Sequence, residues 1–335
     1  MDFPQYIFEK LYFYNMIENS KIITIAFYNI ENLFDIENDP LTNDDDFLPT
    51  SAKRWTYKRY QNKLRKLGSV ISQIGEEDDK PPVIVGLAEV ENNKVLTDLI
   101  NSEHLESLGY NFVHFDSLDE RGIDVALLYK EAFFKVENSE TFSVYLQTET
   151  GNRDYTRDIL LVQGKLYDED INIIVNHWSS RREGEKETEH KRLAAANVVN
   201  NIISRLKKEQ TNAKVIVMGD FNDNPHNNSI TLLEKESHLH NPFSTVLSYN
   251  KGSLNHNFQW NMFDQILISN NFFDPSGTKL RFLKAEVFNS KFITQYHGKY
   301  KGQPFRTYVG KKYKGGYSDH FPVYIQFSTS QTIYR

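Results

Sequence analysis

Short apolar runs rich in β-branched and aromatic residues recur along the chain, and polar stretches with helical spacing separate them. Buried strands are predicted at KIITIAFYN (21–29), VIVGLAE (83–89), NFVHF (111–115), DVALLY (124–129), TFSVYL (141–146), ILLVQGKLY (159–167) and INIIVNHW (171–178). Further strands are predicted at KVIVMGD (214–220), FDQILIS (263–269), LRFLKAEVF (280–288) and FPVYIQF (321–327). The pair at 159–178 reads as a hairpin turning at Asp168–Asp170. In YKRYQNKLRKLGSVISQI (57–74), Tyr60, Leu64, Leu67, Val70, Ile71 and Ile74 share one helical face. A short helix is predicted at 95–101. A long one is predicted over 185–208, with Val199, Ile202, Ile203 and Leu206 at core spacing. Strands outnumber helices, yet the amphipathic helices need sheets to cover, so an α/β arrangement with helices outside sheets fits better than an all-β barrel. No linker or repeat divides the chain. The expectation is one domain over 21–329, with an N-terminal extension (1–20) and a C-terminal tail (330–335).

Composition narrows the chemistry. The 335 residues include no Cys, so disulfides, thiolate metal sites and cysteine nucleophiles are excluded. No apolar run is long enough to span a membrane. The first seventeen residues lack a basic start and a clean apolar stretch, so no signal peptide is predicted. Cytoplasmic location is the default expectation, with a secreted or periplasmic one if a leader has been removed. The formal net charge of −6 argues, as a total, against a polyanionic partner. The charge is uneven, however. Residues 279–314 hold ten Lys or Arg and one acid, Glu286, giving a local +9. Acidic residues cluster at Asp35–Asp46 and Glu76–Asp79.

The predicted strands repeatedly end in Asp, Glu, Asn or His: Asn29 and Glu31, Glu89, Asn176 and His177, Asp220 and Asn222, Asp264, then Asp319 and His320. A carboxylate beside an apolar run is costly to desolvate unless a donor or cation meets it. Oxygen donors without Cys select Mg²⁺, Mn²⁺ or Ca²⁺ over zinc. Two His in such company suit phosphate contact or proton transfer. Each residue alone has a plainer reading as a cap or turn former.

Together, FYNIENL (27–33), GLAEVEN (86–92), VNHWSSR (175–181), MGDFND (218–223), FDQILIS (263–269) and YSDHFPV (317–323) resemble the successive motifs of the endonuclease/exonuclease/phosphatase superfamily, in the same order. Deoxyribonuclease I, the apurinic endonucleases, inositol polyphosphate 5-phosphatases and neutral sphingomyelinases belong to it. The resemblance covers about residues 21–328 and implies a four-layer αββα sandwich, two mixed β-sheets face to face with helices outside. It implies a Mg²⁺-dependent phosphoesterase (Mn²⁺ or Ca²⁺ as alternatives) with Glu89 as the main metal ligand and Asn29, Glu31 and Asp319 beside it. Glu31 stands where many relatives have Asp. Asp220 would orient or deprotonate the attacking water, and Asn222, expected on the same face of an extended segment, would meet phosphate or metal. His320, held by Asp264, would contact the scissile phosphate. His177 corresponds to the family's other His, with Asp124 as a candidate partner. Arg157 is placed like a phosphate-contacting Arg, in competition with Arg121, Arg153, Arg181 and Arg182.

In the 279–314 segment basic residues alternate with Phe and Tyr, a combination that suits a nucleic-acid backbone with unstacked bases. Lys311, Lys312 and Lys314 are the candidate substrate contacts. The same chemistry suits an anionic membrane or a polyphosphorylated headgroup, and the plain alternative is a packed hairpin with a solvated basic face. The leading expectation is therefore a nuclease-type phosphodiesterase, acting on nucleic acid as a monomer with no obligate protein partner. A phosphatase or phospholipase on inositol phosphates or phospholipids is the alternative, and a non-catalytic binding protein the remote one.

Overall fold

The computed structural model describes residues 21–75, 81–274 and 279–329. The expected N-terminal extension, the C-terminal tail and the Glu76–Asp79 acidic run lie outside the described residues. The strands are β1 (Ile22–Leu33), β2 (Ile84–Val90), β3 (Tyr110–His114), β4 (Asp124–Lys130), β5 (Phe134–Phe142), β6 (Leu146–Gln147), β7 (Arg153–Asp154), β8 (Ile159–Leu166) and β9 (Glu169–His177). They continue with β10 (Lys214–Asp220), β11 (Leu239–His240), β12 (Leu254–His256), β13 (Gln259–Asn261), β14 (Asp264–Ser269), β15 (Leu280–Val287), β16 (Tyr308–Val309), β17 (Lys312–Tyr313) and β18 (Val323–Thr329). The α-helices are α1 (Tyr57–Ile71), α2 (Asn93–Ile100), α3 (Glu189–Glu209) and α4 (Asn228–Ser237).

Two six-stranded sheets form the body, ordered β15-β18-β1-β2-β4-β3 and β11-β14-β10-β9-β8-β5. Each is antiparallel except for one central parallel pair, β1 with β2 and β9 with β10. A parallel pair needs a crossover. Here α1 and α3 lie in those connections, and this carries the helices to the outer faces. Tyr60, Leu64, Leu67, Val70 and Ile71 of α1 pack into the core of the first sheet. Val199, Ile202, Ile203 and Leu206 of α3 pack with Val215, Val217 and Ile174 on the second. This is the expected four-layer sandwich. No helix among the described residues is long and apolar enough to cross a membrane.

Strands buried on both faces are apolar throughout, and their side chains still alternate between two cores. On β10, Ile216 and Met218 enter the inter-sheet core while Val215 and Val217 meet the helices. On β9, Ile173 and Val175 face inward, and on β14 Ile266 and Ile268 do so. Continuing that period of two places Asp220, His177 and Asp264 on the inner side, at the rim where the strands end. The sandwich thereby delivers polar side chains from both sheets to one place.

Three elements differ from expectation. TFSVYL is not a strand: β5 ends at Phe142 and only Leu146–Gln147 resumes pairing. β5 is an edge strand pairing with β8 alone, largely solvent-facing, so its polar FKVENSETF hid its true span. The long helix starts at Glu189, since 181–188 form turns closed by Gly184 N–H to Arg181 O and Thr188 N–H to Gly184 O. The hairpin turns at Tyr167–Asp168, both left-handed (φ 49° and 66°), with Leu166 opposite Glu169. That is the two-residue geometry matched to strand twist.

Gly219, one residue before Asp220, is required by close approach. A Cβ there would lie 2.4 Å from the Asn176 carbonyl oxygen and 2.7 Å from the Asn176 Cβ. Gly219→Ala is expected to cost about 2 kcal/mol or more through overpacking, read as a lowered urea midpoint. An unchanged midpoint would refute the close-packing account.

Candidate active site

The rim gathers its polar groups from both sheets. Asp220 pairs in register with Asp264 on one side and with His177 on the other. Asn29 reaches across from β1 and donates from Nδ2 to Asp220 Oδ2 at 3.0 Å. The other Asp220 oxygen accepts from the Asn222 backbone N–H at 2.9 Å. His320, just ahead of β18, places Nδ1 2.7 Å from Asp264 Oδ2. Its Nε2 lies 4.0 Å from both Asp220 Oδ2 and Asp319 Oδ1. His177 Nε2 lies 3.8 Å from Asp220 Oδ2 and 4.0 Å from Glu89 Oε1. These separations are too long for hydrogen bonds, so both Nε2 atoms remain available to a phosphoryl oxygen.

Two of the gathered residues escape simple strand alternation. Glu89 interrupts the pairing of β2 with β4 as a bulge at φ 66°, and its Oε2 accepts from Asn32 N–H at 2.9 Å. Bulges re-aim side chains at such rims. Asn222 was expected to share a face with Asp220 in extended backbone. Instead β10 ends at Asp220 and Asn222 is left-handed at φ 51°, with Nδ2 donating to the Trp178 carbonyl.

Electrostatics separate the groups by role. Burial, then the neighbouring Asp264 charge, pushes Asp220 up to about 7, with His320 opposing. Burial works against a charged His320, but Asp264 and then Asp220 and Asp319 override it and hold its pKa well above the usual value. His177 moves the other way, well below normal, through burial and the charges of Arg157 and Arg121. The two imidazoles are therefore biased in opposite senses, His320 toward its charged form and His177 toward its neutral one. For Asp319, burial pushes upward while His320 and Arg306 outweigh it and lower its pKa; Arg306 sits 2.5 Å from Asp319 Oδ2.

Several expected partners are engaged elsewhere. The Glu31 carboxylate accepts from the backbone N–H groups of Thr307 and Tyr308, tying β1 to the segment before the β16–β17 hairpin. It is pushed up to about 7 by burial and Asp319, with Lys63 opposing. Asp124 does not pair with His177. Its Oδ2 faces His114 Nε2 at 3.6 Å and its Oδ1 accepts from Ser117 N–H. With Asp116 these residues bring donor atoms within 4.8 Å of one another. Arg157 commits three of its five N–H groups, one from each nitrogen, to the carbonyls of His177 and Trp178 and to Asp119 at 3.0 Å. It braces the His177 backbone, with one N–H on each terminal nitrogen left over. Lys311, Lys312 and Lys314 are exposed, on and just beyond the β16–β17 hairpin.

A sequence profile of the Endonuclease/Exonuclease/phosphatase family matches residues 24–329. The chain belongs to this family. The family is one of phosphoesterase enzymes. Its fold is shared with a family protein from Bacteroides thetaiotaomicron, at 17% identity and TM-score 0.59 over 95% of this chain and 98% of that one. It is shared also with a mannosyl-6-phosphatase of the same organism, at 18%, TM-score 0.56, 91% and 99%. TDP2 of D. rerio, solved with a single-strand DNA product, matches at 14%, TM-score 0.57, 92% and 100%. No curated protein matches the chain at the level of sequence.

The residues fit the divalent metal that endonuclease/exonuclease/phosphatase members use. Glu89 Oε1 is uncommitted to any hydrogen bond, and the buried Asp264 Oδ1 has no partner. Asp220, Asp264 and His320 also bring donor atoms within 4.8 Å, but the His320 imidazole already answers Asp264 there. Among the described residues at this rim, the carboxylate oxygens open to a cation are Glu89 Oε1 and Asp319 Oδ1.

Reading the sequence missed the supporting residues Lys63, Asp223 and Arg192, and named Arg121 only as a competitor of Arg157. Lys63 is buried and donates to Thr307 Oγ1 and the Tyr317 carbonyl, beneath Glu31. Burial lowers it to about 8. Its signal was legible, since a Lys stood in the apolar stripe of α1. Asp223 is clasped by Arg181 at 2.5 Å, Arg192 at 2.8 Å and Ser229 at 2.5 Å, fixing the loop after Asp220. Arg121, with Arg182, Ser179, Ser180, Tyr155 and Thr156, lines a cavity of about 190 Å³. Arg121→Ala is expected to raise KM for a phosphodiester about tenfold, whereas Arg157→Ala should lower stability by about 3 kcal/mol and kcat with it. Steady-state kinetics and denaturant melts separate the two. A pure KM effect for Arg157→Ala would restore its phosphate-contact role.

Proposed function

We propose that the protein is a divalent-metal-dependent phosphodiesterase of the nuclease type, hydrolysing nucleic acid by in-line attack of water. The convergence of Asp220, Asp264, His177, His320 and Glu89 at one rim supports this most strongly. Glu89, Asn29 and Asp319 would hold a Mg²⁺ or Mn²⁺ ion, which would supply charge neutralisation on the phosphoryl oxygens.

The remaining roles belong to the chain's own groups. Asp220, aligned by Asn29 and the Asn222 N–H, takes the proton of the attacking water; its desolvated carboxylate favours receiving one. His320 stays an imidazolium because Asp264 stands behind it, and it donates from Nε2 to a non-bridging oxygen. His177, uncharged, offers a second Nε2 contact without competing for the cation. Arg121 supplies positive charge at the flank. Buried donors of this kind need no reorganisation as charge develops.

Nucleic acid is favoured as substrate by the +9 segment, whose cations stand with aromatic rings. Lys299 Nζ lies 4.9 Å from the Tyr300 ring, and Arg59 of α1 lies 4.4 Å from the Tyr313 ring. The TDP2 structure with a single-strand DNA product adds weight. The mannosyl-6-phosphatase on the same fold favours a second reading, a phosphomonoesterase on a sugar or inositol phosphate.

A panel of plasmid DNA, single-stranded DNA, RNA, inositol phosphates, sugar phosphates and sphingomyelin with Mg²⁺ decides between them. Asp220→Ala and His320→Ala should each lower kcat/KM about a thousandfold, and excess EDTA should abolish turnover. Full activity in EDTA would sink the mechanism.

The Asp264–His320 pair makes a pH prediction with a defined sign. Asp264 raises the His320 pKa, so the imidazolium persists above pH 6.5 and is lost only as pH climbs past the raised value. Asp264→Asn removes that support, and the alkaline limb of kcat/KM should move to lower pH by about one unit or more. A limb that stays in place would remove His320 from the proposed role.

A further inference from the structure

Two large aromatic side chains face solvent on loops that frame the rim. Phe258 is 58% exposed and Tyr300 is 48% exposed. Their rings lie 2° from parallel with centroids 5.7 Å apart, a slipped stack that leaves each ring an outer face. Burial does not account for either residue. Local backbone preference does not account for Phe258 either. It occupies the second position of the β12–β13 turn at φ 64°, beside Asn257 at φ 48°. Such turns favour Asn followed by Gly, and a bulky side chain in that region is a strained choice.

The hairpin is anchored to the candidate catalytic loop. Leu254 forms an antiparallel bridge with His320. Ser253 accepts from Phe321 N–H through its carbonyl at 2.7 Å and from Asp264 N–H through its hydroxyl at 3.2 Å. Trp260 stacks on Phe321 at 6.0 Å and 20°. A short extended arm then carries Phe258 roughly 10 Å outward, within a few nucleotides of a phosphate at His320. Tyr300 approaches from the basic segment between Lys299 and Lys301, with Lys299 Nζ 4.9 Å from its ring. Exposed ring faces beside cations are the pairing that binds unstacked bases and their backbone.

We propose that Phe258 and Tyr300 form a stacking platform for an unpaired base flanking the scissile phosphate, so that the protein prefers single-stranded or frayed nucleic acid. This rests on the nuclease reading. Inside a duplex both faces of a base are already covered by its neighbours, so only a splayed or terminal base can use the platform.

The test compares single-stranded DNA with bis(p-nitrophenyl) phosphate, a diester lacking a base. Phe258→Ala and Tyr300→Ala should each lower the ratio of kcat/KM for single-stranded DNA over the small diester about tenfold, mainly through KM, while Tyr300→Trp restores it. Phe258→Gly should lower the same ratio yet raise Tm, because Gly relieves the left-handed turn. In binding titrations with Ca²⁺ in place of Mg²⁺, an oligonucleotide carrying 2-aminopurine near the target phosphate should be quenched by wild type and not by the double alanine variant. An unchanged ratio in all variants overturns the platform while leaving the nuclease reading intact. Hydrolysis of the small diester with no cleavage of any nucleic acid by wild type overturns both.

Discussion

Asp220 and Asp264 face each other across two hydrogen-bonded strands, both sealed from solvent. Placing two carboxylates side by side in a low-dielectric rim is strongly unfavourable unless the opposite sheet answers them. It answers with the Asn29 amide and the His320 imidazole, one from β1 and one from the loop before β18. The two sheets are thus joined at this end by polar contacts and along their faces by apolar ones. Burial and then the Asp264 charge raise Asp220, and the same carboxylates hold the His320 pKa above its usual value. Catalytic chemistry and sheet docking share one electrostatic problem.

A second design feature is the use of cations as scaffold. Arg157 clasps the carbonyls after β9, while Arg181 and Arg192 clasp Asp223 after β10. Each strand leaves the sheet just past a candidate site residue, its ladder closed by Trp178 N–H to the Asp220 carbonyl and Phe221 N–H to the Phe263 carbonyl. A fork of guanidinium donors braces the chain at that point. Arg157 and Arg121 line one cavity, and Arg157 is the one braced by backbone carbonyls.

That distinction also marks how far sequence reading reached. Asn29, His177, Asp220, Asp264 and His320 were legible because a polar residue ending an apolar run is conspicuous, and strand alternation then fixes its side. Glu89 and Asn222 stand among the candidates, but their aim depends on left-handed backbone that no periodicity announces. The expected Asp124–His177 pairing is absent for a different cause. Position before a strand says nothing about which of several nearby partners a long or acidic side chain selects, and Asp124 found His114. β5 escaped because an edge strand has no reason to be apolar. A single net charge carries no location, since the acidic clusters and the +9 segment lie apart in the sequence.

β1 lies at the heart of the first sheet, yet one of its two partners is β18, paired from Ile22 with Ser328 to Phe27 with Val323. Thr329 N–H reaches back to the Lys21 carbonyl at 3.0 Å. Sequence separations of this size make the central pairing a late event. A nascent chain emerging from the ribosome lacks Asp319 and His320 until almost all of this sheet has been synthesised, and β1 waits unpaired on that side for as long. The candidate site is therefore complete only once the sheet closes, because Asp319 and His320 join it from the chain that leads into β18.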